Sequence, residues 1–131
     1  MFIDASALTA ILTSEQDARE LLARMQNSTE RLTSPLAIWE TSIAVGRRLG
    51  LEVKDAQRAV EDFLKLANIE VCAVPAEARD LAIDAYARYG KGRHPAALNF
   101  GDCFAYACAR DAKAPLLYKG DDFAQTDIET A

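Results

Sequence analysis

Met1-Phe2-Ile3-Asp4-Ala5-Ser6-Ala7-Leu8 decides the fold. Met1–Asp4 reads as a short strand that ends on an acid, and Ala5–Leu12 follows at once as an apolar helix. The same alternation continues along the chain. A helix is expected over Glu15–Gln26, with Ser14 as its N-cap and Leu21, Leu22 and Met25 on its buried side. Leu32–Thr33 is a short strand candidate. Ser34-Pro35 then opens a helix in the favoured way, a cap followed by proline at the first helical position, and that helix ends at Gly50. Ala56, Val60, Phe63, Leu64 and Ala67 recur at helical spacing within Val53–Ala67. Ile69–Val74 is bounded by Pro75 and predicts a strand. Pro75–Tyr89 is helical up to Gly90, Lys91–Asn99 a polar loop, Phe100–Arg110 an apolar helix, Pro115–Tyr118 a strand, and the tail from Gly120 a loop or final turn.

Strands separated by helices imply right-handed crossovers and an α/β fold on a parallel sheet with helices on both faces. A chain of 131 residues is one domain, 1–131, large enough to bury a core without disulfides. Such sheets bind ligands beyond the carboxyl ends of their strands.

Composition narrows the function. Twenty acids against 15 bases give a net charge of −5, which argues against a general nucleic-acid coat but not against an enzyme that grips a few phosphates around a cation. The three cysteines, Cys72, Cys103 and Cys108, lie in apolar stretches without paired spacing, so a reducing cytoplasm is expected. Cys103 and Cys108 lack the companion ligands of a zinc site. No apolar run approaches a membrane span, and no leader is evident at Met1. There is no phosphate-binding glycine motif, hence no support for a nucleotide-cofactor fold.

Four acidic positions carry the chemistry, the last of them an adjacent pair. Asp4 ends the first strand, where it reads equally as a cap for the next helix; Ser6 shares the capping or holds the carboxylate by a hydrogen bond. Glu40 lies on one helix face with Leu36, Trp39, Ile43 and Arg47, and a carboxylate on an apolar stripe needs a salt bridge, to Arg47 or Arg48, or a metal ion. Asp102 is the one carboxylate between Phe100 and Ala109 of an apolar helix, placed in the first turn, where the helix dipole favours it as a cap or as a ligand. Asp121 and Asp122 follow the last strand.

Converging carboxylates repel one another unless a cation lies between them, and hard oxygen donors select Mg²⁺ or Mn²⁺. The constellation points to phosphodiester hydrolysis by a metal-activated water without a covalent intermediate. With one histidine, His94, a two-histidine nuclease mechanism is excluded. The Gly90–Pro95 loop around it is either a solvated turn or a phosphate grip; Arg47, Arg48 and Lys119 are further candidates for backbone contacts.

Met-Phe-Ile-Asp4-Ala-Ser6-Ala, Ser34-Pro-Leu-Ala-Ile-Trp-Glu40, Leu98-Asn99-Phe-Gly-Asp102-Cys-Phe-Ala-Tyr-Ala and Leu116-Leu-Tyr-Lys-Gly-Asp121-Asp122-Phe together resemble the PIN-domain ribonucleases. More narrowly, the chain is similar to the VapC toxins of type II toxin–antitoxin modules, over its full length and in the same order. The resemblance implies a three-layer α/β/α sandwich, Mg²⁺ or Mn²⁺, endonucleolytic RNA cleavage, a homodimer and a VapB-type antitoxin. Carried over residue by residue, the metal-binding and catalytic acids are Asp4, Glu40, Asp102 and Asp121, with Asp122 behind them and Asp127 near the site. Charge complementarity lets an antitoxin inhibit by placing an Arg or Lys among these acids.

Three other readings compete. A phospho-receiver domain would need an acidic pair after the first strand and an acceptor Asp after a central one; here stand Asp4-Ala5-Ser6 and a strand ending in Pro75. A catalytically inactive acidic interaction module would bind a basic peptide without cleaving RNA. A metal-dependent DNase shares the same acids, since no visible element reads a 2′-hydroxyl.

Overall fold

The computed structural model describes residues 1–131. Its sheet has four parallel strands in the order β3-β2-β1-β4, comprising β1 (Phe2–Ile3), β2 (Leu32–Thr33), β3 (Glu70–Val71) and β4 (Leu116–Leu117). Six helices connect and cover them: α1 (Ala5–Leu12), α2 (Ala18–Gln26), α3 (Pro35–Leu49), α4 (Val53–Leu66), α5 (Ala78–Tyr89) and α6 (Phe100–Asp111).

Two-residue strands suffice because successive side chains point to opposite faces of a sheet. Phe2 lies opposite Leu116 and Ile3 opposite Leu117. Phe2 and Leu116 join a core with Ala82, Ala85, Leu98, Tyr106 and Ala109 of the α5/α6 side. Ile3 and Leu117 join a second core with Leu8, Leu21, Met25, Val45, Val60 and Leu64 of the α1–α4 side. The result is the expected three-layer α/β/α sandwich.

Helix α3 begins as its sequence predicts: the Ser34 Oγ accepts the Ala37 N–H at 3.2 Å and Pro35 occupies the first turn. It ends at Gly50, whose φ of 64° is left-handed. Cys103 and Cys108 are buried free thiols, both pushed up to about 11 by burial, in keeping with a core role.

Three expectations are corrected. Ser14 does not cap α2: its φ is 53°, and the following Glu15 N–H bonds the Ala10 carbonyl at 2.9 Å. That six-residue closure terminates α1, so α2 starts only at Ala18 and Glu15 stays outside both helices. The strand expected over Ile69–Val74 shrinks to Glu70–Val71, both exposed on the sheet edge. The tail is more than a loop: after a 3₁₀ turn at Phe123–Gln125 it returns to pair Thr130 with Leu116, the Leu116 N–H donating to the Glu129 carbonyl at 2.8 Å.

Candidate active site

Beyond the carboxyl ends of β1, β2 and β4 opens a cavity of about 300 Å³, lined by Asp4, Ser6, Glu15, Glu40, Asn99, Asp102, Arg48 and Lys119 among others. Topology explains the meeting. Asp4 follows β1 directly, Glu40 lies in the second turn of the helix after β2, Lys119 follows β4, and Asp102 lies in the first turn of α6.

Asp4 is buried at 5% exposure. Its backbone N–H is tied to the Leu117 carbonyl at 2.9 Å, which fixes the residue against β4. Its Oδ2 accepts both the Ser6 N–H at 2.9 Å and the Ser6 hydroxyl at 2.5 Å. Ser6 Oγ in turn accepts the Lys119 N–H at 3.0 Å. Capping and site-lining are therefore one arrangement, because the cap side chain points where the ligand end of the sheet lies. Burial raises the Asp4 pKa, and the two Ser6 bonds oppose that rise.

Asp102 likewise serves a capping box. Asn99 Oδ1 accepts the Asp102 N–H and Asp102 Oδ2 accepts the Asn99 N–H, each at 2.9 Å. Burial pushes its pKa up to about 6; the Asn99 bond resists, and the charges of Asp4 and Asp122 add to the rise.

Glu40 is half-buried but not on the core face of α3. That face is Ala37, Thr41 and Val45, and Trp39 is 66% exposed, so the stripe expected through Leu36, Trp39 and Glu40 is not the one that packs. α3 packs on α1, α4 and α6 with Ala37, Thr41 and Val45 buried, and Glu40 is displaced to the flank. It makes no ion pair with Arg47 or Arg48. Burial, then the charges of Asp4 and Asp102, push its pKa up to about 7. Gly101 makes room for it, since a Cβ there would fall on the Glu40 carboxylate.

Asp121 stands apart. It lines the adjoining cleft with Asp17, Glu20, Arg24 and Lys119, whereas Asp122 is the acid whose charge reaches Asp102. Asp127 is drawn away altogether: it accepts the Tyr106 hydroxyl at 2.7 Å and pairs with Arg88 at 3.0 Å and Arg110 at 2.7 Å, fastening the tail to α5 and α6. His94 accepts the Ala96 N–H at 3.1 Å through Nδ1 and packs edge-on to Tyr89, which makes it an ordering element of its own loop. Of the basic candidates, Arg48 and Lys119 reach the cavity, where both pair with Glu15, and Arg47 is exposed elsewhere.

Gly101, Asn99 and Glu15 were not among the expected site residues. The Asn99-x-x-Asp102 spacing is a capping-box signal that could have found Asn99. Nothing local marks Glu15, which reaches the cavity from the turn between α1 and the late start of α2 at Ala18.

The PIN domain family model matches residues 1–129. The chain is 42% identical over 130 residues to the ribonuclease VapC30 of Mycobacterium tuberculosis, covering 99% of this chain and 97% of that one. It is 44% identical over 128 residues to the ribonuclease VapC of Mycolicibacterium smegmatis, covering 98% and 97%. Among solved structures it superposes on VapC20 of Mycobacterium tuberculosis, described as a sarcin–ricin loop-cleaving toxin, with a TM-score of 0.76 at 18% identity over 99% of this chain and 97% of that one, a likeness of fold.

Proposed function

The chain belongs to the PIN-domain family, among its VapC ribonucleases, and from that membership we propose that it is a metal-dependent endoribonuclease acting as the toxin of a toxin–antitoxin pair. The observation that carries the catalytic reading is the shared cavity of Asp4, Glu40 and Asp102, in which all three carboxyls have raised pKa values. Groups so arranged favour a cation over three bare negative charges.

The donor set suits Mg²⁺ or Mn²⁺, being carboxylate oxygens with no thiolate or imidazole among them. No three of these side chains stand together as a ready-made metal cluster in this structure. Asp4, Glu40 and Asp102 would hold it, with Asp122 nearer than Asp121 as the fourth acid. The bound cation would supply positive charge at the phosphate and a more acidic water. Ser6 holds Asp4 Oδ2, leaving Oδ1 for a ligand. Glu40, titrating near neutrality, can take a proton within the cavity. Asn99 and Gly101 are positioning residues, the first orienting Asp102 and the second admitting Glu40.

RNA is favoured over DNA by the ribonuclease names of the relatives. The partner is a VapB-type antitoxin that sets a basic side chain among the acids, and the active form is a homodimer. No helix is long and apolar enough to cross a membrane, in line with a cytoplasmic toxin. The test is purified Asp4→Asn and Asp102→Asn: each should lose RNA cleavage with circular dichroism unchanged. Retained cleavage in either would remove that residue from the site, and metal-independent cleavage by the parent would overturn the mechanism.

A further inference from the structure

The cavity holds four carboxylates, Asp4, Glu15, Glu40 and Asp102, against two cations, Arg48 and Lys119. Both cations are committed to one group. Arg48 pairs with Glu15 Oε1 and Lys119 with Glu15 Oε2, and Thr13 Oγ1 also donates to Oε1 at 3.3 Å. The three charges come from the α1–α2 turn, the end of α3 and the segment after β4, so tertiary structure builds this cluster and no local helix pairing does. Glu15 is mostly covered, its side chain 16% exposed, while Arg48 stays 53% exposed.

A carboxylate that offers one oxygen to each of two cations occupies the place of a phosphodiester, whose two non-bridging oxygens present the same pair of acceptors. The place is also the right one. The Lys119 backbone N–H holds the Ser6 hydroxyl that in turn holds Asp4, so an anion bound here lies beside the proposed metal ligands. Glu15 stands outside both α1 and α2, in the turn that Ser14 closes with a left-handed φ, and can swing away without breaking either helix.

We propose that Arg48 and Lys119 form a phosphate subsite for the RNA backbone, and that Glu15 is its internal occupant in the free protein, displaced when RNA binds. This rests on the ribonuclease reading above. An acidic protein gains selectivity from the arrangement: its two site cations are offered only to an anion that outcompetes Glu15.

The experiment measures binding of a fluorescein-labelled single-stranded RNA by anisotropy, in EDTA so that the RNA stays intact, for the full-length parent, Glu15→Gln, Arg48→Gln and Lys119→Gln, each checked by thermal melting. Glu15→Gln should bind up to about fivefold more tightly, the span of a partly exposed ion pair. Arg48→Gln and Lys119→Gln should each bind more weakly, and each should make the dependence of log Kd on log salt shallower by about 0.7. Glu15→Gln binding no tighter than the parent, or parent-like salt slopes in both cation variants, would overturn the proposal. A lowered Tm in all three with unchanged RNA affinity would make the cluster a structural brace, and would also overturn it. A parent that binds no RNA would remove the ribonuclease reading and this inference together, whereas RNA binding indifferent to Glu15 removes the inference alone. Should a cation variant fail to fold, Glu15→Gln still decides.

Discussion

The Glu40 carboxylate lies so close over Gly101 that a Cβ at that position would clash with it. The first turn of α6 therefore serves the cavity twice, by presenting Asp102 and by leaving its next-door position empty. Gly101→Ala should separate function from stability. Alanine in a helix gains about 0.5–1 kcal/mol over glycine, offsetting part of the local displacement. RNA cleavage should fall about 100-fold, the cost of a displacement of about 1 Å at a reacting centre. Parallel kinetics and thermal melts check it, and parent-like kcat/KM would show that Glu40 tolerates the shift.

Asp102 has two duties, cap and proposed ligand, and an asparagine separates them. Its amide oxygen can still accept the Asn99 N–H, so Asp102→Asn should melt like the parent, or slightly above it, in EDTA. A cation that binds only the folded state at a hundredfold excess over its Kd adds about 2.7 kcal/mol, or several degrees in Tm for a domain of this size. Millimolar Mg²⁺ or Mn²⁺ should give the parent that gain and the variant little of it. A strong loss of Tm in EDTA would make Asp102 a cap alone.

The two neighbouring acids after β4 should differ. Asp122 acts on the charge of Asp102, while Asp121 faces the adjoining cleft. Asp122→Asn should weaken Mn²⁺ binding up to about tenfold, and Asp121→Asn should leave it within about twofold, each step following from about 1.4 kcal/mol per decade. Calorimetric titration of both variants decides, and the reverse order would return the fourth position to Asp121.

Stability without metal should fall as pH rises through the site's own range. The Glu40 carboxyl has a folded pKa of about 7 against an ordinary 4.5. Between those values the native state keeps a proton that the unfolded chain has lost, so raising pH favours unfolding. In EDTA, Glu40→Gln should gain Tm relative to the parent as pH rises from about 5 to about 8. Melting curves that stay parallel across that range would show that Glu40 is not strained.

Asp127 behaves in the opposite sense. Burial acts to raise its pKa, yet hydrogen bonds from Tyr106, Arg88 and Arg110 together hold it well below the carboxylate range. Its contribution is present above an ordinary pKa of 3.8 and is lost as pH falls below it. Asp127→Asn should destabilise the fold at neutral pH by about 1 kcal/mol for a half-exposed charge-assisted contact, read as a lowered Tm, with kcat unchanged. A kcat loss without a Tm change would return Asp127 to the site.

Local chemistry determined much of this protein. The Met1–Leu8 switch, the Ser34-Pro35 start of α3 and the Gly50 stop depend on neighbours within a turn, and each stands as the sequence implies. The alternation of strands and helices set the parallel sheet, and the sheet set the ligand side, so Asp4 and Asp102 could be placed there without coordinates. What the tertiary structure decided is where side chains point once elements pack. Trp39 and Glu40 share a plausible apolar stripe, but close packing of α3 on α1 and α4 selected Ala37 and Thr41 for the buried face. Asp121 and Asp122 are adjacent acids with no local difference, and only the fold after β4 brings the charge of one to bear on Asp102 while the other lines the adjoining cleft. Asp127 is claimed by Tyr106, Arg88 and Arg110, residues 17 to 39 positions distant. Glu15 meets Arg48 and Lys119, 33 and 104 positions away. Spacing reports periodicity along one element; these choices are made by Coulomb attraction and packing between elements, which depend on distance in space and leave no local trace in the sequence.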